Sequence, residues 1–207
     1  MKHKLTAILL SLAALAACGA AWGDIGLGLS ANYWAPEDLS GDGFFGMTAR
    51  IEAELLPVLG VEARLGGFGT LDDDGFFSGK SGWSDSDFET SVTSLEAGLA
   101  AHLPLGPLAL YGGGGVGAYF ADGDIDVWEG DRPFPHHVVL DYDTAIGAYA
   151  FAGLELSLAP CVALVGEFRY TWLETEVNAK WHGQTLVDGE TVSFNGPGVG
   201  IGLLVWL

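Results

Sequence analysis

Hydrophobic and polar residues alternate with a period of two along most of the chain beyond residue 24, and no segment sustains the 3.6-residue repeat of an amphipathic helix. Between Phe45 and Leu55, one parity carries Met47, Ala49, Ile51, Ala53 and Leu55, while the other carries Thr48, Arg50, Glu52 and Glu54. Val61, Ala63 and Leu65 likewise oppose Glu62, Arg64 and Gly66, and Leu95, Ala97, Leu99, Ala101 and Leu103 oppose Ser94, Glu96, Gly98 and His102. Leu164, Phe168, Tyr170 and Trp172 share a face from which Glu167 and Arg169 point away. Successive side chains of a strand leave on opposite sides, so each segment reads as a strand with one greasy and one polar face. Eight strands are predicted, over residues 25–34, 45–55, 61–71, 91–103, 108–120, 143–156, 162–172 and 192–207.

Most of these strands approach or exceed ten residues, longer than usual in soluble sheets and sufficient for a tilted strand to cross a bilayer. Their connections alternate in kind. Short proline-containing turns follow the second, fourth and sixth strands (56–60, 104–107 and 157–161), and long polar segments follow the first, third, fifth and seventh. This spacing predicts an all-β protein: an eight-stranded antiparallel up-and-down transmembrane β-barrel with short periplasmic turns and four long extracellular loops.

A soluble barrel of the lipocalin type would show the same alternation turned inside out. The polar parity decides against it, being mostly Gly, Ala, Ser and Tyr with a few charges, whereas a soluble exterior is rich in Lys and Glu. Aromatics also gather at strand ends beside the long loops. Tyr33, Trp34, Phe44, Phe45, Phe120, Tyr170 and Trp172 are therefore expected to form an interfacial girdle.

Several segments resemble the small outer-membrane β-barrel superfamily that includes the opacity-type proteins. They are Ala152-Gly-Leu-Glu-Leu156 followed by a proline turn and Glu167-Phe-Arg-Tyr-Thr171, the run Tyr111-Gly-Gly-Gly-Gly-Val-Gly117, and the closing Gly198-Val-Gly-Ile-Gly-Leu203. The resemblance implies an integral outer-membrane protein inserted by the barrel-assembly machinery, which reads the last strand. Members usually end in phenylalanine; this chain ends Trp206-Leu207 and keeps the apolar alternation.

The start of the chain fits export. A basic opening through Lys4 and an apolar stretch from Leu5 to Ala17 read as a signal peptide over residues 1–23, leaving residues 24–207 as one barrel domain. Leu15-Ala-Ala-Cys18 resembles a lipoprotein processing site, so Cys18 is a candidate for lipidation. If Cys18 is removed only Cys161 remains, and no intramolecular disulfide can form. With 27 acidic residues against 8 Lys plus Arg, the chain repels nucleic acid. Outer-membrane lipid and lipopolysaccharide are the expected partners, and a monomer is expected.

Inside an eight-stranded barrel the side chains fill the lumen. The inward set is Arg50, Glu52, Glu54, Glu62, Arg64, Glu96, His102, Glu155, Glu167 and Arg169, read as an ionic plug or as a narrow cation-leaning water path. Simple hairpin registers place Glu52 opposite Arg64, Glu54 opposite Glu62 and Glu155 opposite Glu167, with Arg169 one diagonal step from Glu155. Most acids fall in the long segments, densest at Asp72, Asp73 and Asp74 and at Asp122, Asp124 and Asp126, where weak divalent-cation binding is conceivable from the oxygen-rich spacing. A specific calcium loop is disfavoured because Val127 and Pro133 stand where its glycine and glutamate would be. His136-His137 lacks a third nearby ligand, and the glycine run at 112–115 lacks the Lys-Ser/Thr and helix of a nucleotide loop. No cofactor is implied. The reading is a non-enzymatic surface scaffold presenting acidic loops. A small-solute pore is the alternative, and a lipid-modifying enzyme using Ser94, Glu96 and His102 is a remote one.

Overall fold

The computed structural model describes residues 25–37, 43–56, 58–70, 86–127, 136–181 and 184–207. Eleven strand segments occur in chain order: β1 (Ile25–Trp34), β2 (Phe44–Leu56), β3 (Leu59–Thr70), β4 (Ser86–Leu105), β5 (Leu108–Val127), β6 (His136–Tyr142), β7 (Ala145–Ala159), β8 (Val162–Trp172), β9 (Glu174–Trp181), β10 (Gln184–Ser193) and β11 (Gly196–Trp206). They make eight staves, because β6 runs on into β7, β8 into β9 and β10 into β11 across one- or two-residue breaks. Each stave pairs antiparallel with its chain neighbour, and β1 pairs with β11 from Gly26↔Trp206 to Trp34↔Gly198, closing the barrel. Closure leaves no backbone edge within the wall, as a bilayer requires.

Three two-residue turns join the staves at one end, between Leu56 and Leu59, Leu105 and Leu108, and Ala159 and Val162. Gly106 adopts φ 77° in the second of them, a left-handed conformation that glycine takes without steric penalty. The other end is longer than the alternation predicts. β4 and β5 each have 20 residues, about 66 Å at the usual rise per residue, well beyond the hydrocarbon core. The segments read as third and fourth loops are thus largely β-structure: the end of β5 with β6, and β9 with β10. Their acids interrupted the apolar alternation, while backbone pairing continues through them.

The faces separate cleanly. Ile146, Ile201 and Val116 are 73%, 61% and 60% exposed, and Leu29, Met47, Leu99, Phe168 and Val199 also stand outward. Glu52, Glu96, Glu62, Arg64 and Arg50 are buried. An apolar belt outside and charges inside is the arrangement of a wall facing lipid.

The girdle expectation needs correction at two positions. Phe45, Phe120 and Trp172 are exposed, and Tyr33 packs against Phe45 and Tyr170 against Trp172, each with ring centroids 4.9 Å apart. Trp34 and Phe44 instead point into the barrel and are almost fully buried. As immediate neighbours of Tyr33 and Phe45, they leave the strand on the opposite side. With Phe194, Phe68, Val92, Tyr119 and Leu173 they form an apolar cap across the extracellular end of the lumen, where Trp34 lies 5.6 Å from Phe44 and 5.8 Å from Phe68.

Candidate functional site: the charged lumen

Below the aromatic cap, the lumen is built from inward residues of every stave, and hairpin register decides their depth. The turn between Leu56 and Leu59 is preceded by a register shift between Glu54 and Leu56. This sets Arg50 opposite Arg64 and Glu52 opposite Glu62, not Glu52 opposite Arg64. The β7–β8 hairpin behaves alike: a shift between Ser157 and Ala159 brings Glu167 opposite Gly153 and Arg169 opposite Phe151, so Glu155 faces Val165 rather than Glu167. A bulge adds one residue to one strand, which a simple count from the turn does not include.

Directly opposed like charges repel on a two-stranded wall, and here partners from distant staves relieve them. At mid-depth, Arg64 donates to both oxygens of Glu62, at 2.9 and 3.0 Å, and to both of Glu167, at 2.5 and 2.9 Å. Glu167 belongs to β8, four staves from β3, so this pair spans the barrel's diameter. Tyr111 donates to Glu167 and Tyr149 to Glu62, both at 2.9 Å. The Arg64 guanidinium also lies 4.3 Å from the Phe151 ring centroid, within cation–π range.

Towards the extracellular side, Arg169 grips Glu96 through two bonds of 2.7 and 2.6 Å, and Tyr119 donates to Glu96 at 3.0 Å. Arg169 is held on its own strand by Thr171 at 3.1 Å and covers the Tyr149 ring at 4.3 Å. Paired forks of this kind are the strongest neutralisation open to a buried carboxylate. Towards the turn end, His102 Nε2 lies 2.5 Å from Glu52 Oε1 and His102 Nδ1 3.7 Å from Glu155 Oε2. Arg50 reaches this layer more loosely, 3.4 Å from Glu155 and 3.9 Å from Glu52, and its Nη1 stands 4.0 Å from Glu167. Among the described residues, Arg50 Nη1 and Glu52 Oε2 are buried polar atoms without a hydrogen-bond partner. Glu54 faces Gly60 nearest the turn.

Close approach of the walls depends on small residues. A Cβ on Gly98 would lie 2.5 Å from the Tyr149 hydroxyl and 2.7 Å from the Gly114 carbonyl, so glycine there admits Tyr149 to Glu62. Asn32 and Gly200 of β1 and β11 line two cavities beside Arg64 and Glu167, each of about 30 Å³ with room for one or two waters, and one of them extends past Gly28, Ser30 and Gly202 to Arg50.

The tyrosines and Phe151 that complete the lumen were not singled out from sequence. They could have been, since Tyr111 and Tyr119 share the inward parity of Gly113, Gly115 and Gly117 in β5, and Tyr149 and Phe151 that of Glu155 in β7. Other sequence candidates separate. Glu96 and Ser94 lie about 20 and about 27 Å along the strand from His102, by the usual rise, and Glu96 and His102 are bound to different partners. Asp122, Asp124 and Asp126 sit on β5 and not in a loop, with alternate residues of an extended strand about 7 Å apart. His136 and His137 are consecutive residues of β6. Asp72, Asp73, Asp74 and Cys18 lie outside the described residues.

A closed antiparallel barrel with an apolar exterior and an ion-paired lumen defines a membrane-spanning β-barrel of the outer membrane. The chain belongs to the outer membrane protein beta-barrel domain family, whose family model matches residues 5–203. Among solved structures it is similar to the outer membrane protein OprG of Pseudomonas aeruginosa, with a TM-score of 0.63 at 17% identity, covering 90% of this chain and 96% of that one. A major outer membrane protein of Thermus thermophilus matches with a TM-score of 0.57 at 15% identity, covering 89% of this chain and 98% of that one. Neisserial surface protein A gives 0.52 at 14% identity, covering 88% and 95%. These similarities establish the shared fold. No curated protein sequence matches the chain.

Proposed function

We propose that the protein is a closed, non-enzymatic scaffold of the outer membrane, whose activity lies in presenting its acidic extracellular segments at the cell surface for adhesion, envelope integrity or surface interaction. The observation that carries this reading is the cross-lumen bonding. Arg64 to Glu167 and Arg169 to Glu96 tie non-adjacent staves together beneath an aromatic cap, which favours a plug over a water path. Lipopolysaccharide is the proposed neighbour of the outer rim, and the last strand, β11, the element read by the assembly machinery. The separation of Ser94 and Glu96 from His102 weighs against a hydrolytic constellation, and no conversion of labelled lipid A by the purified protein is expected. Planar-bilayer recording tests the main reading. A silent bilayer is expected; a steady cation-selective conductance abolished by Arg64→Met would replace the scaffold with a narrow passage.

A further inference from the structure

The lumen is not electrically balanced by its arginines. Glu52, Glu62, Glu96, Glu155 and Glu167 share three arginines, Arg50, Arg64 and Arg169, and two of those are fully engaged higher in the barrel. One unit of the deficit falls at mid-depth, where Glu62 and Glu167 share Arg64 at short range, and one at the turn end, where Glu52 and Glu155 share the looser Arg50. There one donor atom each from Glu52, His102 and Glu155, on three different staves, lies within 4.8 Å of the others. Glu52 is 0% exposed, and its Oε2 has no hydrogen-bond partner although it is held in a low-dielectric layer, which is costly for a carboxylate. Arg50 contacts Glu155 Oε1 at 3.4 Å and leaves Oε2 turned towards the histidine.

We propose that Glu52, His102 and Glu155 form a binding site for a divalent cation of the zinc class at the periplasmic end of the lumen. One imidazole nitrogen and two carboxylate oxygens, with water completing the shell, is a donor set suited to such an ion. Bond lengths of about 2.0–2.2 Å set tetrahedral donor separations of about 3.4 Å, so the 2.5 Å contact of His102 with Glu52 must open to admit the ion while Glu155 turns towards it. Arg50 is the outer partner that orients Glu155, and Tyr111, stacked 5.8 Å from the His102 ring, fixes the plane of the imidazole. The ion takes the place of the proton between His102 and Glu52 and brings a second positive charge to the two carboxylates.

The test uses the full barrel refolded in detergent, stripped with chelator and titrated with cobalt(II) as a spectroscopic probe. One equivalent is expected to bind with visible d–d absorption, to be displaced by one equivalent of zinc, and to survive excess magnesium, which would clear the acidic rim. His102→Gln and Glu52→Gln are expected to weaken binding by about tenfold or more while keeping the heat-modifiable migration of a folded barrel. Cobalt binding unchanged in His102→Gln overturns the proposal. Should either variant fail to fold, the unaltered protein decides alone: absence of a one-equivalent, zinc-displaceable cobalt spectrum overturns the site.

Discussion

Replacing Arg64 by methionine tests whether the lumen is held by ions across its diameter. Arg64 is 4% exposed and satisfies four carboxylate oxygens, two on Glu62 and two on Glu167. Methionine retains much of the volume and removes every donor, leaving two buried carboxylates without their cation. Breaking a buried pair from one side costs about 3–5 kcal/mol. Tyr149 and Tyr111 still donate one bond each to the stranded carboxylates, so the expected loss is at the lower end, about 3 kcal/mol. Urea unfolding of the vesicle-inserted barrel, followed by tryptophan fluorescence, measures it. Adding Glu62→Gln and Glu167→Gln to Arg64→Met removes the uncompensated charge and is expected to recover at least half the loss. A single substitution costing less than about 1 kcal/mol, the range of an exposed pair, refutes the argument, as does a triple variant no more stable than the single one.

Two further outcomes follow from the assignment of faces. Trp34→Ala opens a cavity in the aromatic cap and is expected to cost about 3–5 kcal/mol, whereas Trp172→Ala costs less; in single-tryptophan proteins, brominated lipid should quench Trp172 fluorescence and spare Trp34. Ile201→Arg places a charge on the lipid-facing wall and is expected to destabilise the inserted barrel by about 2–4 kcal/mol in the same urea assay if residue 201 lies near mid-membrane.

The alternation of Met47, Ala49 and Ile51 with Thr48, Arg50 and Glu52 was enough to assign the wall's two faces and the number of staves, because side-chain direction in a strand is a local property. The same rule, applied one residue further, assigns Trp34 and Phe44 to the interior; clustering of aromatics at strand ends had obscured it. Strand length was less legible. Beyond the membrane the wall need not be apolar, so the ends of β4 and β5 and the whole of β6, β9 and β10 carry a polar pattern that reads as loop while the backbone ladder continues.

The partners within the lumen were decided only by tertiary structure. A bulge just before each of two tight turns moved Glu52 and Glu155 away from the pairings counted from sequence, and the guanidinium bonds across the interior join staves three or four apart. Such partners depend on how closing the barrel folds the sheet back on itself, a quantity set by all eight registers together. Sequence by itself determined which residues face lipid and which face inward. Closure decided that Arg64 meets Glu167, that Arg169 meets Glu96, and that Glu52, His102 and Glu155 converge on one point.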